Sequence, residues 1–204
     1  DGISCKGQDA TVYISNNGQG AVKTPSISAQ ELSVSNNGML SIDNCNIVSG
    51  RTKITNHGNM KLDGGIKGSS LKCTNSGVYG MDGTITLDGG FEYTNYGQSS
   101  NTCDVTADGI TVVNSGVDKQ QGKFRAATLD MSIDGKSDYD ISYSDGQARL
   151  ECSGIGRFKL ALDCQSINIG TSGQIDIQLS GTADKTEFTG SGVSHIDTSG
   201  LNKF

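Results

Sequence analysis

Ser15-Asn16-Asn17-Gly18, Ser35-Asn36-Asn37-Gly38 and Thr55-Asn56-His57-Gly58 are one phrase repeated. It returns as Thr74-Asn75-Ser76-Gly77, Thr94-Asn95-Tyr96-Gly97 and Asn114-Ser115-Gly116, with Val113 in place of the hydroxyl residue. Successive glycines are 20, 20, 19, 20 and 19 residues apart. The asparagine then stops, but the glycine keeps the beat at Gly135, Gly154, Gly173 and Gly192, each 19 residues on. Self-similarity at a fixed period of this size is the mark of a solenoid.

Counted from the glycine of each beat, the large apolar residues fall on even offsets. Leu32, Val34, Leu40 and Ile42 do so in one repeat, Phe158, Leu160 and Leu162 in another, while odd offsets carry mostly Ser, Thr, Lys, Asp and Glu. Alternation with period two predicts half-buried strands, and no stretch sustains a helical period. The expected fold is all-β: a single parallel β-solenoid of about ten coils of 19–20 residues, spanning 1–204. Asn16, Asn36, Asn56, Asn75, Asn95 and Asn114 share an inward phase and are expected to stack as an amide ladder, one rung per coil. The beat glycine would supply the positive φ or the close backbone approach that a tight corner needs.

Composition agrees with a narrow, repetitive core. Hydrophobic residues are only 33% of the chain, with 29 glycines, no tryptophan and one proline, Pro25. The formal net charge is −6 and Lys and Arg are dispersed, which argues against nucleic acid or an anionic membrane as partner. No run approaches the roughly 18 apolar residues of a membrane span. No signal-peptide pattern precedes the repeats, so Asp1 is expected to be a processed or truncated start.

Cys5, Cys45, Cys73, Cys103, Cys152 and Cys164 form an even set with no zinc-type spacing. This predicts disulfides in an oxidising compartment. Cys73, Cys103, Cys152 and Cys164 lie on the inward phase, which favours Cys73–Cys103 and Cys152–Cys164 among the 15 connectivities of six cysteines and leaves Cys5 with Cys45.

Three parts are expected within the one domain: an N-terminal cap over 1–12, Asn-ladder coils over 13–127 and barer coils over 128–204. Residues 117–127 read as the most irregular stretch, with Gln120, Gln121 and Gly122 bulging out. Asp43, Asp63 and Asp82 each follow their glycine by five residues. Stacked carboxylates repel, so this column is the candidate for calcium or for a shared proton, although Asp-Asn and Asp-Gly are equally turn dipeptides. No other cofactor is implied. The hydroxyl row Ser15, Ser35, Thr55, Thr74 and Thr94 would stack, but the uneven, charged row beside it argues against a flat ice-binding array.

No nucleophile–histidine pairing is evident. His57 stands at the free position of an Asn-x-Gly corner and His195 near the C-terminal end, both read as surface residues. Arg51, Arg125, Arg149 and Arg157 share no offset with the Asp column, and coils of this length leave little room for cleft-forming loops. The chain is therefore read as non-catalytic, with a polysaccharide-active enzyme ranked last.

The run GTSGQIDIQLSGTADKTEFTGSGVSHIDTSGL (170–201) resembles the repeats of the head GIN domain family of auto-transporter adhesins. The matching residues are Ser180-Gly181-Thr182-Ala183-Asp184, Gly190-Ser191-Gly192 and Asp197 to Leu201. The resemblance implies surface exposure and an adhesive role, and it brings no catalytic or binding residues with it. Two readings follow. The first is a secreted or cell-surface binding module for a glycan or an extracellular protein, with Tyr79, Phe91 and Tyr96 as candidate stacking surface. The alternative is a structural subunit that self-associates end to end into a filament or extracellular layer.

Overall fold

The computed structural model describes residues 3–4 and 10–202. The described residues form strands joined by short corners, with no helix. All the strand pairs are parallel, and each strand pairs with the equivalent stretch about one beat away in sequence. The chain is a β-solenoid of about ten turns. Adjacent turns are thus separated by the strand spacing of roughly 4.8 Å.

The register resolves a turn into three faces. The ladder face holds 11–16, 31–36, 51–56, 70–75, 90–95, 109–114, 128–133, 147–152, 166–171 and 185–190, stacked in that order. The second face follows each Asn-x-Gly corner, as in Gln19–Val22 stacked on 39–42. The third face closes the turn, as in 46–49 stacked on 65–68. At the N-terminal end Ile3–Ser4 lies beside Ile27–Ser28. Most of the cap expected over 1–12, Cys5 included, lies outside the described residues.

Even-phase residues fill the interior. Leu32, Ile42, Ile54, Leu62, Ile66, Tyr139, Phe158, Ile169 and Ile177 are all fully buried. The core is a single continuous column of such side chains.

The asparagines form the expected ladder. Nδ2 of Asn16, Asn36, Asn56, Asn75 and Asn95 donates to Oδ1 of the next rung at 2.7–2.8 Å. Each middle amide also closes its own corner: Asn75 Nδ2 donates to Gly77 O at 3.2 Å and to Gln98 O at 2.9 Å, while its Oδ1 accepts from Gly77 N at 3.1 Å. Asn114 ends the series by donating to Ser137 Oγ at 2.9 Å. The same column continues as Ile133, Cys152, Thr171 and Gly190.

Of the two roles open to the corner glycine, close approach is used from Gly38 to Gly173, while Gly192 also takes a positive φ of 105°. A Cβ on Gly38 would stand 2.0 Å from the Gly18 carbonyl oxygen, and on Gly116 2.1 Å from that of Gly97. The turns stack too closely there for any side chain.

Residues 117–127 are not irregular. Val117–Ile133 is one strand, in constant register with 98–106 before it and 136–152 after it. Gln120 points inward and is buried, so the expected bulge is absent. Register shifts in this part of the repeat lie elsewhere, at the Asp43–Asn44 bulge, where Asn44 takes φ 50°, and in the last turn, where Gln178 and Ser180 pair with Asp197 and Gly200.

The ladder's reciprocity predicts a position-dependent cost. Asn75→Ala removes two inter-rung bonds and strands corner groups, and should lower unfolding stability by about 3 kcal/mol or more. Asn16→Ala, at the half-exposed first rung, should cost only about 1 kcal/mol. Urea denaturation midpoints compare the two, and equal losses would rule out a cooperative ladder.

Candidate functional site

The outward side chains of the ladder face form the candidate surface. They lie in three rows, because alternate residues of each strand point out. One row runs Thr11, Glu31, Arg51, Ser70, Gly90, Gly109, Thr128, Gln147, Ser166 and Lys185. The row beside it runs Tyr13, Ser33, Lys53, Lys72, Glu92, Thr111, Asp130, Arg149, Asn168 and Glu187. Between them the surface is grooved. One groove lies over Thr11, Tyr13, Glu31, Ser33, Arg51, Lys53 and Lys72, another over Thr128, Asp130, Gln147, Arg149, Asn168, Lys185 and Glu187. A third follows the adjoining corner of the last turns, over Ser132, Asp134, Glu151, Ser153, Ser172 and Ser191.

Six of the charges on this face are paired within it. Arg51 bonds Glu31 on the neighbouring turn, Lys72 bonds Glu92 at 2.6 Å, and Arg149 bonds Glu151 at 3.3 Å. Asn168 Nδ2 donates to Glu187 Oε2 at 3.2 Å. These groups are well exposed, so each pair adds little stability and serves mainly to fix side-chain direction.

A second polar constellation lies inside the solenoid. Asp118, 2% exposed, accepts from Ser99 Oγ at 2.5 Å, Tyr139 OH at 2.6 Å and Gln120 Nε2 at 3.1 Å. Burial raises the Asp118 pKa above the ordinary carboxylate value, against the opposing pull of those donors. The Tyr93 hydroxyl lies near Ser99 and Asn101 but makes no hydrogen bond of normal geometry. Among the described residues no cation faces Asp118, and its partners are the three side chains just named and the Lys119 backbone N–H. Its sequence signal was the polar residues at inward offsets, Ser99, Asn101, Asp118, Gln120 and Ser137, all buried here.

The residues singled out from sequence distribute as follows. Asp63 and Asp82 are register partners on adjacent turns, whereas Asp43 sits in the bulge and accepts from Ser41 Oγ at 2.5 Å. Among the described residues no group of three or more His, Cys, Asp or Glu side chains is placed to hold a metal ion. His57 and His195 are exposed. Tyr79 and Phe91 belong to the core with Tyr93, which withdraws them as stacking surface, while Tyr96 is exposed at its corner. Tyr13, 77% exposed within the first groove, is the aromatic surface group that the repeat pattern did not mark out as a ligand contact.

The disulfide expectation is corrected. Cys45, Cys73, Cys103, Cys152 and Cys164 are buried free thiols. Inward phase alone did not bring partners together. Cys152 occupies the ladder column beside Ile133 and Thr171, while Cys164 stacks on Ala183 on the third face. Cys73 and Cys103 project from different faces toward one small void of about 10 Å³, too small for more than a single water. Burial pushes both thiols up to about 12 and Cys152 up to about 11, so they stay protonated and unreactive. Cys5 lies outside the described residues.

These features define a class: a parallel β-solenoid with an internal amide ladder and a grooved polar ladder face, with a further groove on the second face over Asn59, Lys61, Gly80, Asp82, Ser100 and Thr102. Within it, residues 127–203 match the family model described as "Putative auto-transporter adhesin, head GIN domain". The match covers the turns whose ladder column has lost asparagine. No curated protein and no solved structure matched the chain.

Two expectations follow. Unreduced protein should show its five described thiols to a thiol reagent only after denaturation; fewer than five would restore a disulfide. For Asp118, the folded pKa lies above the unfolded value of about 3.9, so the native state retains a proton that the unfolded chain has lost. Its contribution is therefore fullest below about pH 4 and fades as pH rises through the folded value. Asp118→Asn should flatten the fall of stability with pH above about 4, measured by urea midpoints. Parallel profiles for the two proteins would refute this.

Proposed function

We propose that the chain is a non-catalytic, surface-exposed binding module of adhesin type, whose ligand surface is the ladder face. The observation that carries this reading is coincidence. The segment matching the adhesin family model, 127–203, is also the segment over which two of the grooves run. Paired side chains on rigid strands present a prearranged polar surface, the kind that binds by complementarity with little ordering cost. The family match also supports placement at the cell surface or outside the cell. The five described cysteines, being unpaired, no longer add to that argument.

A filament built by end-to-end stacking is the weaker reading, because the family match supports an adhesive module rather than an assembly subunit.

The test is a screen of the immobilised protein against a glycan array and a panel of extracellular matrix proteins. For any ligand found, Gln147→Trp, which fills the groove over the matched turns, should weaken binding by about tenfold or more. Lys159→Ala, on the second face, should leave it unchanged. Absence of any ligand, or equal loss with both variants, would overturn the proposal.

A further inference from the structure

We infer that the occupant of the ladder face is a neutral, linear polysaccharide lying parallel to the solenoid axis, its sugar units keeping step with the turns. This rests on the binding-module reading and specifies its ligand.

The first argument is continuity. The groove over Tyr13 to Lys72 and the groove over Thr128 to Glu187 lie on the same two rows of one face. Between them the first row carries only Gly90 and Gly109. Gly90 is exposed, has no positive φ, and a Cβ built on it would approach nothing closer than 4.0 Å. Neither backbone strain nor crowding demands glycine there. The missing side chain leaves the first row open between the two grooves, and the proposed trough runs through that opening.

The second argument is charge. The chain as a whole carries −6, yet the outward rows of the ladder face are balanced. Arg51, Lys53, Lys72, Arg149 and Lys185 stand against Glu31, Glu92, Asp130, Glu151 and Glu187. Most of these are already bonded to one another. Such a surface has no net field to gather a polyanion or a polycation. What it offers is alternating donors and acceptors, carboxylate, amide, guanidinium and hydroxyl, which suit an uncharged chain of hydroxyl groups.

The third argument is shape. An extended peptide binds a sheet by pairing with an edge, and this surface is the side-chain face of a sheet, whose backbone groups are already used between turns. A sugar polymer needs no backbone pairing. Its monomer is comparable in length to the turn spacing of roughly 4.8 Å, so equivalent contacts can recur on every turn. Tyr13, 77% exposed, gives the trough a ring on which the C–H face of a sugar packs.

The experiment is calorimetric titration with neutral oligosaccharides of graded length, using β-1,4-glucan, β-1,3-glucan, α-1,4-glucan and mannan series. Hyaluronan serves as the charged control and a matrix protein as the protein control. The inference expects one neutral series to bind, with affinity rising as units are added and little change between low and high salt. Gly90→Trp should block the middle of the trough and lower the affinity of long oligosaccharides by about tenfold. Tyr13→Ala should weaken binding at the N-terminal end, and circular dichroism establishes that both variants fold. Salt-sensitive binding of hyaluronan alone, or binding of the protein control alone, would overturn the inference while leaving a binding module. A neutral series that binds without length dependence, or indifferently to Gly90→Trp, would also overturn it. No binding by any probe would count against both readings.

Discussion

The structure depends on register. A parallel solenoid places each residue directly over its equivalent one turn away, and a slip by a single residue would turn every inward side chain outward. Apolar packing alone resists such a slip poorly, because Leu, Ile and Val in neighbouring columns are nearly interchangeable. The amide ladder does not tolerate it. Each Asn side chain reaches its own corner carbonyl and the next rung together, so only one alignment satisfies both. The corner glycine adds a steric half to the same constraint, since only a bare Cα passes within contact of the carbonyl below it.

Where the ladder stops, something else must hold alignment. Asn114 passes its last donor to Ser137, and Ser137 lies on the second face beside Asp118. Asp118 in turn gathers Ser99, Gln120 and Tyr139, which belong to three successive turns. The buried network therefore stands at the junction between amide-registered and apolar-registered turns. Burying a carboxyl raises its cost, but a group with several directional acceptor positions fixes alignment as an amide does. Beyond it the column is Ile133, Cys152 and Thr171, and the unpartnered Thr171 hydroxyl shows that reciprocity along the column has lapsed.

The fold was legible because its signal was distributed. Ten glycine beats and the even-phase apolar residues each repeat the same statement, and the six asparagines named their own partners. The errors came where one residue had to be judged alone. An inward phase specifies which way Cys73 or Cys152 points, but not which face of the turn it comes from, and a disulfide needs both. Polarity at 117–122 suggested exposure, whereas Asp118 and Gln120 are polar because they satisfy one another inside. The candidate site was legible only in part. The row Tyr13, Ser33, Lys53, Lys72 and Glu92 was visible as a row, but its continuation through Thr111 into Asp130, Arg149 and Glu187 requires the register to be known.

That separation between inside and outside bears on function. In this solenoid the backbone groups are used between turns, the amides are used at one corner, and the core is filled by even-phase residues. The odd-phase side chains of the ladder face are then left with almost no structural duty, since exposed ion pairs such as Lys72–Glu92 add little stability. A surface so decoupled from folding can hold any pattern of charge and size. The pattern it holds is ordered: paired opposite charges, glycines at its middle and a ring at one end. That order, set on strands whose backbone is already fully used, is why the ligand is sought on this face.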